Sequence, residues 1–268
     1  MTGKPLDPSA PRILVIGGGY VGMYTAMRLL RRLRDGEATV TVVDPRSYMT
    51  YQPFLPEAAA GSIQPRHVVV PLRRVLRGAE VISGAVTGLD HAHKSATVQP
   101  LEGKPYTISY DHVVLAPGSI ARTLPIPGLA DWGTGFKNVE EAIELRNRVV
   151  ECLDIAESTH DEHIRRRNLS FVVVGGGYAG IEALGELEDM SRYATRYYRT
   201  ITPSDLRWTL VEASDRILPE VGRSMGEYAL QQLRDRGIDC RLGTRLDSVV
   251  GGRVVLSDGT EFDCETLV

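Results

Sequence analysis

The sequence predicts an α/β protein of two three-layer lobes, each with a small antiparallel β-meander. Two glycine motifs of the same form, GGGYVG from Gly17 and GGGYAG from Gly175, each follow a short apolar run and open a stretch with helical spacing of apolar residues. Short β-branched runs separated by turn residues follow both motifs, as in small antiparallel sheets. A chain of 268 residues can bury two cores of ordinary size. We therefore expect two Rossmann-like lobes, one for each motif.

The first glycine motif predicts a dinucleotide site. An apolar strand is followed by a turn at Gly17, Gly18 and Gly19, and then by a helix. Gly17 permits the turn, Gly19 lets backbone amides approach a pyrophosphate, and Gly22 lets the helix pack close to the strand. The exposed amides at the helix N-terminus favour a negative charge. The next strand ends at Asp44, whose carboxylate can accept hydrogen bonds from a ribose.

The second motif repeats this pattern. Gly175, Gly177 and Gly180 stand in the same order after a β-branched run. The following strand ends at Glu212, later than the spacing of about 20 residues that is usual for the ribose-binding acid. The sequence therefore predicts a long intervening helix that continues to near Tyr198.

A proline-rich segment, 45–76, follows Asp44 and is expected to form a loop with short helices. Within it, Tyr51–Pro56 places aromatic and apolar side chains next to Gln52. These residues either close the edge of the core or line the ring system of a cofactor, and the sequence favours neither interpretation.

The other elements follow from short-range patterns. A helix is predicted over Val139–Ile155 and another over Ser224–Arg236, and Gly128–Gly135 is predicted to connect the lobes. A strand ending at Ala116 precedes Gly118, which permits close approach of a ligand to the backbone. Strands of the two small sheets are predicted at Glu80–Ser83, Val86–Leu89, Ser95–Val98 and Tyr106–Ser109, and at Asp239–Leu242, Asp247–Val250, Arg253–Leu256 and Thr260–Asp263. The last residues, 264–268, resemble the start of a buried strand.

Composition and residue spacing argue against several classes of function. The formal net charge of -3 argues against a nucleic-acid partner, which would need a basic face. No apolar run approaches the roughly 20 residues that span a bilayer, and the N-terminal residues do not form a secretory signal. Cys152, Cys240 and Cys264 form no C-x-x-C pair, so a local dithiol centre is not expected. The histidines show no metal-ligand spacing, and no metal is predicted.

These segments in this order resemble the two-dinucleotide-binding flavoproteins, and most closely the type II NADH dehydrogenases, which are single-chain NADH:quinone oxidoreductases. The resemblance covers nearly the whole chain. It rests on both glycine motifs, on YQPFLPEAAAG at Tyr51, on YDHVVLAPGS at Tyr110, and on the IPGL and FKNVEEAIELRNR segments between Ile126 and Arg148.

The resemblance implies roles for individual residues. The first motif, with Gly17, Gly18, Gly19, Gly22 and Asp44, would bind FAD. The second, with Gly175, Gly177, Gly180 and Glu212, would bind NAD(H). The lobes would be 1–136 for FAD and 137–268 for NAD(H). The counterparts of Gln52, Pro53, Ala116 and Gly118 lie near the flavin in that family. An acid at Glu212 would disfavour the 2′-phosphate of NADPH by charge repulsion, so NADH is the expected donor.

Glu182 has two interpretations. It lies two residues after Gly180, and we expect it in the first turn of the helix, where a carboxylate is favourable for local electrostatic reasons. In the family that the chain resembles, the matching glutamate lies near the nicotinamide and quinone region and has been proposed to assist proton handling. The residues alone leave both interpretations open.

The resemblance also implies partners and a location. Quinone would be the electron acceptor, a homodimer is expected by resemblance alone, and the full-length protein would lie at the cytoplasmic face of the membrane. Family members continue beyond 268 residues with a second flavin-binding segment and a membrane-binding segment. The chain is therefore expected to be truncated, to hold FAD weakly, and not to bind membranes or quinone productively by itself.

Two other classes of function remain open. A soluble flavin-dependent reductase of the pyridine nucleotide-disulphide type would place a redox cysteine in or near 45–77, where this chain has none. A non-catalytic module that binds or senses NADH would carry the same nucleotide motif without turnover.

Overall fold

The computed structural model describes residues 10–120 and 123–268. The first nine residues of the predicted lobe 1–136, with residues 121 and 122, lie outside the described residues. The strands are β1 (Arg12–Ile16), β2 (Thr39–Asp44), β3 (Tyr48–Thr50), β4 (Val69–Pro71), β5 (Glu80–Asp90), β6 (Ser95–Pro100), β7 (Tyr106–Ser109), β8 (His112–Leu115), β9 (Ser170–Val174), β10 (Arg207–Val211), β11 (Asp239–Arg241), β12 (Leu246–Ser248), β13 (Arg253–Leu256), β14 (Glu261–Asp263) and β15 (Thr266–Leu267). The α-helices are α1 (Tyr20–Arg32), α2 (Leu55–Ala59), α3 (Leu72–Val75), α4 (Leu129–Trp132), α5 (Val139–Ser158), α6 (Glu162–Asn168), α7 (Tyr178–Ala194) and α8 (Arg223–Asp235). Short 3₁₀ turns lie at Gln52–Phe54, Pro65–His67, Thr195–Tyr197, Pro203–Asp205 and Val250–Gly252.

The described residues form two compact units. The first consists of 10–51 and 69–120, and the second of 52–68 and 123–268. The segment 52–68 thus packs with the second unit although both of its chain neighbours belong to the first. Assignment of FAD to 1–136 and of NAD(H) to 137–268 stays a prediction.

The first unit is built on a mixed six-stranded sheet in the order β7-β6-β5-β2-β1-β8. The central strand β1 pairs in parallel with both β2 and β8. Val15 packs with Met23 of α1 on one face of the sheet, and Leu14 packs with Tyr110 on the other. Because both faces are covered, this strand is apolar at consecutive positions rather than at alternate ones.

Strand β5 corrects the sequence prediction. Two separate strands, Glu80–Ser83 and Val86–Leu89, were expected there, and the structure has one continuous strand, Glu80–Asp90. Its first residues pair in parallel with β2, and the rest pairs antiparallel with β6. Gly84 lies where the partner changes, and a β-carbon there would approach the carbonyl oxygen of Gln99 to 2.6 Å. The glycine that suggests a turn in the sequence therefore permits a close approach within a strand.

The proline-rich segment contains the expected short helices, α2 and α3. It also contains a two-stranded antiparallel ribbon of β3 and β4, which the sequence prediction missed. The two strands are three residues long and are separated by 51–68, so neither the alternation of apolar residues nor a hairpin turn marks them.

The second unit has a parallel sheet in the order β11-β10-β9-β15 and an antiparallel sheet of β12, β13 and β14. Strand β9 is buried on both faces, and Phe171 stacks on Trp208 of β10 with ring centroids 4.5 Å apart. On the side of the antiparallel sheet, Val172 packs with Leu256 and Leu267. The fold class is therefore the predicted α/β class, with two parallel sheets and small antiparallel ones.

Three expectations in the second unit are corrected. The prediction that 239–242 belongs to the meander is wrong, because β11 pairs in parallel with β10. Helix α8 joins these two strands, and such a crossover favours a parallel neighbour. The segment Gly128–Gly135 was predicted only to connect the lobes, and the structure adds a short helix, α4, within it. The long helix α7 ends at Ala194, and the chain continues to Tyr197 as a 3₁₀ turn.

Other expected elements are present with small shifts. Helix α5 extends three residues beyond Ile155 and begins with a capping box between Asn138 and Glu141. Helix α8 covers Arg223–Asp235. The residues 264–268 contain β15, which pairs in parallel with β9.

Candidate functional site

The first glycine loop has the geometry that the motif requires. Gly17 has a φ of 101°, and its amide donates to the carbonyl of Val43 at 2.8 Å. A β-carbon on Gly17 would overlap the carbonyl oxygen of Ala116, and one on Gly22 would overlap the carbonyl oxygen of Gly17. A β-carbon on Gly19 would meet no atom within 4 Å. The loop is thus closed on the protein side and open at the start of α1.

The N-terminus of α1 can accept an anion. Its N-cap, Gly19, provides no side-chain hydrogen bond, and the first turn contains no acidic residue. The first amides of a helix lack partners within the helix and carry a partial positive charge. The residues present therefore fit the pyrophosphate of a dinucleotide.

Asp44 lies beside this loop and holds it. Oδ2 accepts a hydrogen bond from the amide of Gly18 at 2.6 Å, and Oδ1 accepts one from the amide of Arg46 at 2.7 Å. Each carboxylate oxygen has more than one acceptor position, so Asp44 can order the loop and also accept from a ribose. Leu72 lies against Gly18 on the protein side of the loop.

Strand β8 brings Ala116 to the same place. The Ala116 amide donates to the carbonyl of Ile16 at 2.8 Å, and its own carbonyl faces Gly17. Gly118 follows with a φ of 69°, and a β-carbon there would meet no atom within 4 Å. The first unit thus brings together the glycine loop, Asp44 and Ala116.

The second glycine loop repeats this arrangement. Gly175 has a φ of 116°, and its amide donates to the carbonyl of Val211 at 2.9 Å. A β-carbon on Gly180 would overlap the carbonyl oxygen of Gly175. Gly177 is the N-cap of α7, where no side chain caps the helix and the first turn has no acid. This loop also fits a pyrophosphate.

Glu212 corresponds to Asp44. Its Oε2 accepts from the amide of Gly176 at 2.6 Å, and its Oε1 accepts from the amide and the hydroxyl of Ser214 at 2.7 Å each. Burial alone would raise the pKa of Glu212, but these hydrogen bonds outweigh burial and hold the pKa below its ordinary value. Glu212 is therefore a carboxylate at neutral pH, as a ribose acceptor must be.

Glu182 does not lie where the sequence predicts. Helix α7 begins at Tyr178, so Glu182 is its fifth residue and lies beyond the first turn. The interpretation of a carboxylate at the positive helix end is therefore wrong. Burial raises the pKa of Glu182, and the negative charge of Glu57 adds to this effect.

Glu182 lies in an acidic cavity of about 300 Å³ within the second unit. The cavity is lined by Pro53, Pro56, Glu57, Glu182, Gly185, Glu186, Asp189 and Arg236. Gln52 belongs to the same unit, and its side-chain amide donates to the carbonyl of Lys137 at 3.1 Å. Pro53 and Glu182 thus come together, whereas Gln52 is held by the segment that precedes α5.

Sequence reasoning missed Glu57 and the apolar residues beneath the loops. Glu57 faces Glu182 only because α2 packs on α7, and no local pattern indicates that contact. Ile217 lies against Gly176 as Leu72 lies against Gly18. Leu72 and Ile217 each lie about 40 to 55 positions after the glycine that they contact, so no local sequence pattern indicates these contacts.

The three cysteines are free thiols in environments that disfavour the thiolate. Burial raises the pKa of the Cys152 thiol to about 11 and that of Cys264 to about 12. Burial also raises the pKa of Cys240. Reactive thiols have lowered pKa values because the thiolate is the nucleophile. These environments are typical of packing cysteines.

No helix in 10–120 or 123–268 has both the length and the apolar character needed to cross a membrane. In the same ranges, no group of three or more histidine, cysteine or acidic side chains is arranged to hold a metal ion.

Comparison with known proteins decides the family. The family model described as pyridine nucleotide-disulphide oxidoreductase matches residues 11–268. The chain belongs to the pyridine nucleotide-disulphide oxidoreductase family. Within it, the resemblance to type II NADH:quinone oxidoreductases is confirmed by curated relatives with that description.

Two curated relatives illustrate the similarity of this family member. The type II NADH:quinone oxidoreductase Ndh of Mycobacterium tuberculosis is 29% identical over 259 residues, which cover 94% of this chain and 55% of the relative. The external alternative NADH-ubiquinone oxidoreductase of Yarrowia lipolytica mitochondria is 28% identical over 269 residues, covering 97% and 45%. The chain thus spans about half the length of the curated relatives it matches.

A solved structure shares the fold. The structure of NDH2 from Plasmodium falciparum in complex with NADH superposes with a TM-score of 0.89 at 18% identity, and covers 96% of this chain and 54% of that chain.

Proposed function

We propose that this chain carries the nucleotide-binding units of an FAD-dependent oxidoreductase that transfers hydride from NADH to the flavin and passes electrons on to a quinone. The observation that carries the proposal is the pair of open glycine loops, each with a strand-end acid bonded to its second glycine. The family membership and the similarity to NADH:quinone oxidoreductases support the choice of FAD, NADH and quinone.

The residues of the chain have separate tasks in this proposal. Gly19 and the first amides of α1 hold the pyrophosphate of FAD, and Asp44 accepts from its adenosine ribose. Gly177 and the start of α7 do the same for NADH, and Glu212 accepts from its ribose and repels the 2′-phosphate of NADPH. When bound, the flavin supplies the hydride and electron chemistry, so the protein needs to bind, orient and screen. Gln52, Pro53, Ala116 and Gly118 are proposed to lie near the flavin ring.

An absorbance experiment tests the two cofactor sites. The chain, equilibrated with FAD, is expected to bind the flavin weakly, and the visible absorbance of the bound flavin is expected to bleach when NADH is added. Two matched variants separate the sites. Gly19→Asp and Gly177→Asp each introduce a residue that caps helices well, at a position where a β-carbon clashes with nothing, so both are expected to fold.

The aspartate carboxylate would take the place and the charge of the pyrophosphate. Gly19→Asp is expected to lose at least 90% of the flavin, whereas Gly177→Asp is expected to keep the flavin but to need roughly 10-fold more NADH for bleaching. Retention of flavin by Gly19→Asp, or bleaching of Gly177→Asp at the same NADH concentration as the parent, would contradict the assignment of these loops.

A second prediction concerns Glu182. Its raised pKa suits a group that holds a proton and supplies it during quinone reduction. In a protein that also carries the membrane-binding segment of the family, Glu182→Gln cannot release a proton and is expected to reduce quinone at least 10-fold more slowly, with NADH binding unchanged. Activity of the parent chain that depends on protonated Glu182 should fall as pH rises through its pKa, and the variant should lack this fall. An unchanged rate in Glu182→Gln would refute the role. The control is Glu227→Gln, which removes an exposed carboxylate of α8 outside the cavity.

The location and the partners belong to the same proposal. A quinone acceptor would require access to a membrane, so we propose action at its cytoplasmic face. Homodimer formation stays a prediction, to be checked by analytical ultracentrifugation.

A further inference from the structure

The second glycine loop has a neighbour that the first one lacks. A β-carbon on Gly177, the N-cap of α7, would lie 3.8 Å from Oε1 of Glu220, whereas one on Gly19 would meet nothing within 4 Å. Glu220 is exposed, and its carboxylate has no hydrogen-bond or ion-pair partner among residues 10–120 and 123–268. A free negative charge therefore lies at the helix end that we propose for the NADH pyrophosphate.

The backbone fixes this position. The Leu218 amide donates to the carbonyl of Gly176 at 2.7 Å, and the Val221 amide donates to the carbonyl of Leu218 at 3.1 Å. Glu220 thus stands in a turn, 218–221, that is bonded directly to the glycine loop. Leu218 has a φ of 49°, which is unfavourable for a leucine, and the surrounding structure must hold it there.

The turn is also supported from its other side. A β-carbon on Gly226 of α8 would lie 2.9 Å from the carbonyl oxygen of Ile217, so α8 packs closely against the start of the turn. The Arg216 guanidinium donates to the carbonyl of Pro219 at 2.8 Å. With Gly176 on one side and α8 on the other, packing and hydrogen bonds set the backbone position of Glu220.

We propose that Glu220 is an affinity-determining residue of the NADH site, whose carboxylate opposes the pyrophosphate at the start of α7. The inference rests on the proposed function, because it requires a pyrophosphate at that place. Like charges at a few ångströms repel, and the helix end attracts both anions. Glu220 thereby weakens binding of NADH and speeds its exchange.

The charged residues nearest to Glu220 in sequence are Asp215, Arg216 and Arg223. The Arg223 guanidinium lies 4.0 Å from a carboxylate oxygen of Asp215 and 3.9 Å from one of Glu227.

The test compares Glu220→Gln with the parent chain and with Glu227→Gln, a control that removes an exposed charge from α8. Binding of NADH, ADP-ribose and adenosine is measured by calorimetry at low and high salt. Glu220→Gln is expected to bind NADH and ADP-ribose about 3- to 10-fold more tightly at low salt, with the difference shrinking at high salt. Adenosine has no pyrophosphate and is expected to bind all three proteins equally.

The outcomes separate this inference from the proposed function. Equal NADH affinity in the parent and Glu220→Gln overturns the inference and leaves the NADH site standing. A gain that extends equally to adenosine also overturns it, since the change then acts through the shape of the turn. No binding of NADH or ADP-ribose to any of the three proteins overturns the NADH site itself, and the inference with it.

Discussion

Replacement of Gly180 by alanine is expected to destabilise the second unit by about 2–4 kcal/mol. The added β-carbon would overlap the carbonyl oxygen of Gly175 and lie 3.5 Å from a methyl carbon of Val173. Both partners are fixed, because Gly175 bonds to Val211 and Val173 belongs to the central strand β9. Helix α7 would have to move away from the strand, so the loop at its start would change as well.

Urea denaturation followed by circular dichroism measures this effect. The matched control is Gly185→Ala on the same helix, where an added β-carbon meets no atom within 4 Å. Alanine favours a helix over glycine by up to about 1 kcal/mol, so the control is expected to be as stable as the parent or more stable. If Gly180→Ala unfolds at the same urea concentration as Gly185→Ala, close packing at Gly180 is unimportant.

Replacement of Glu188 by alanine is expected to lower the free energy of unfolding by about 1.5–3 kcal/mol, because the carboxylate accepts hydrogen bonds from two charged arginines that are themselves 41% and 37% exposed. Only 1% of this residue is exposed. Its carboxylate accepts from Nε of Arg192 at 2.7 Å and from Nε of Arg236 at 2.8 Å, and Nη2 of Arg236 also donates to it. Removal of the carboxylate would leave two guanidinium groups without their counter-charge between α7 and the end of α8.

A surface pair provides the comparison for Glu188. Glu162 and Arg166 are separated by 3.9 Å, and their side chains are 74% and 71% exposed. Exposed pairs contribute little, so Glu162→Ala is expected to change the free energy of unfolding by less than about 0.5 kcal/mol. A loss for Glu188→Ala that is no larger than the loss for Glu162→Ala would show that solvent screens the interactions of Glu188 with both arginines.

The sequence predicts the elements that depend on neighbouring residues, and it misses those that depend on residues far apart in the chain. The glycine loops, their helices and the strand-end acids were predicted residue by residue, because each depends on neighbours close in sequence. Asp44 and Glu212 were expected to face a ribose, and the structure adds that each holds the second glycine of its own loop. That bond spans 26 residues in one case and 36 in the other, and no local pattern indicates it.

The errors also have physical causes. Glycine is common both in turns and in strands that lie very close to a neighbouring strand. Gly84 therefore suggested a turn between two strands, where the structure has the single strand β5. Strand β11 follows a helix and precedes a meander, and only sheet pairing decides to which sheet it belongs. Glu182 was expected in the first turn of α7, but it is the fifth residue of a helix that begins at Tyr178 and so lies just beyond that turn. Glu57 and Glu220 belong to segments whose position depends wholly on tertiary contacts.

Because 52–68 packs with the second unit, the two units cannot be expressed separately by dividing the chain at one position. Helix α2 buries Leu55, Ala58 and Ala59 and packs against α5 and α7. A fragment that begins at 137 would lack this helix and expose the apolar surface that it covers, so it would tend to aggregate. To express the second unit alone, α2 must be kept with it, for example by circular permutation. Truncation at a single position would remove α2.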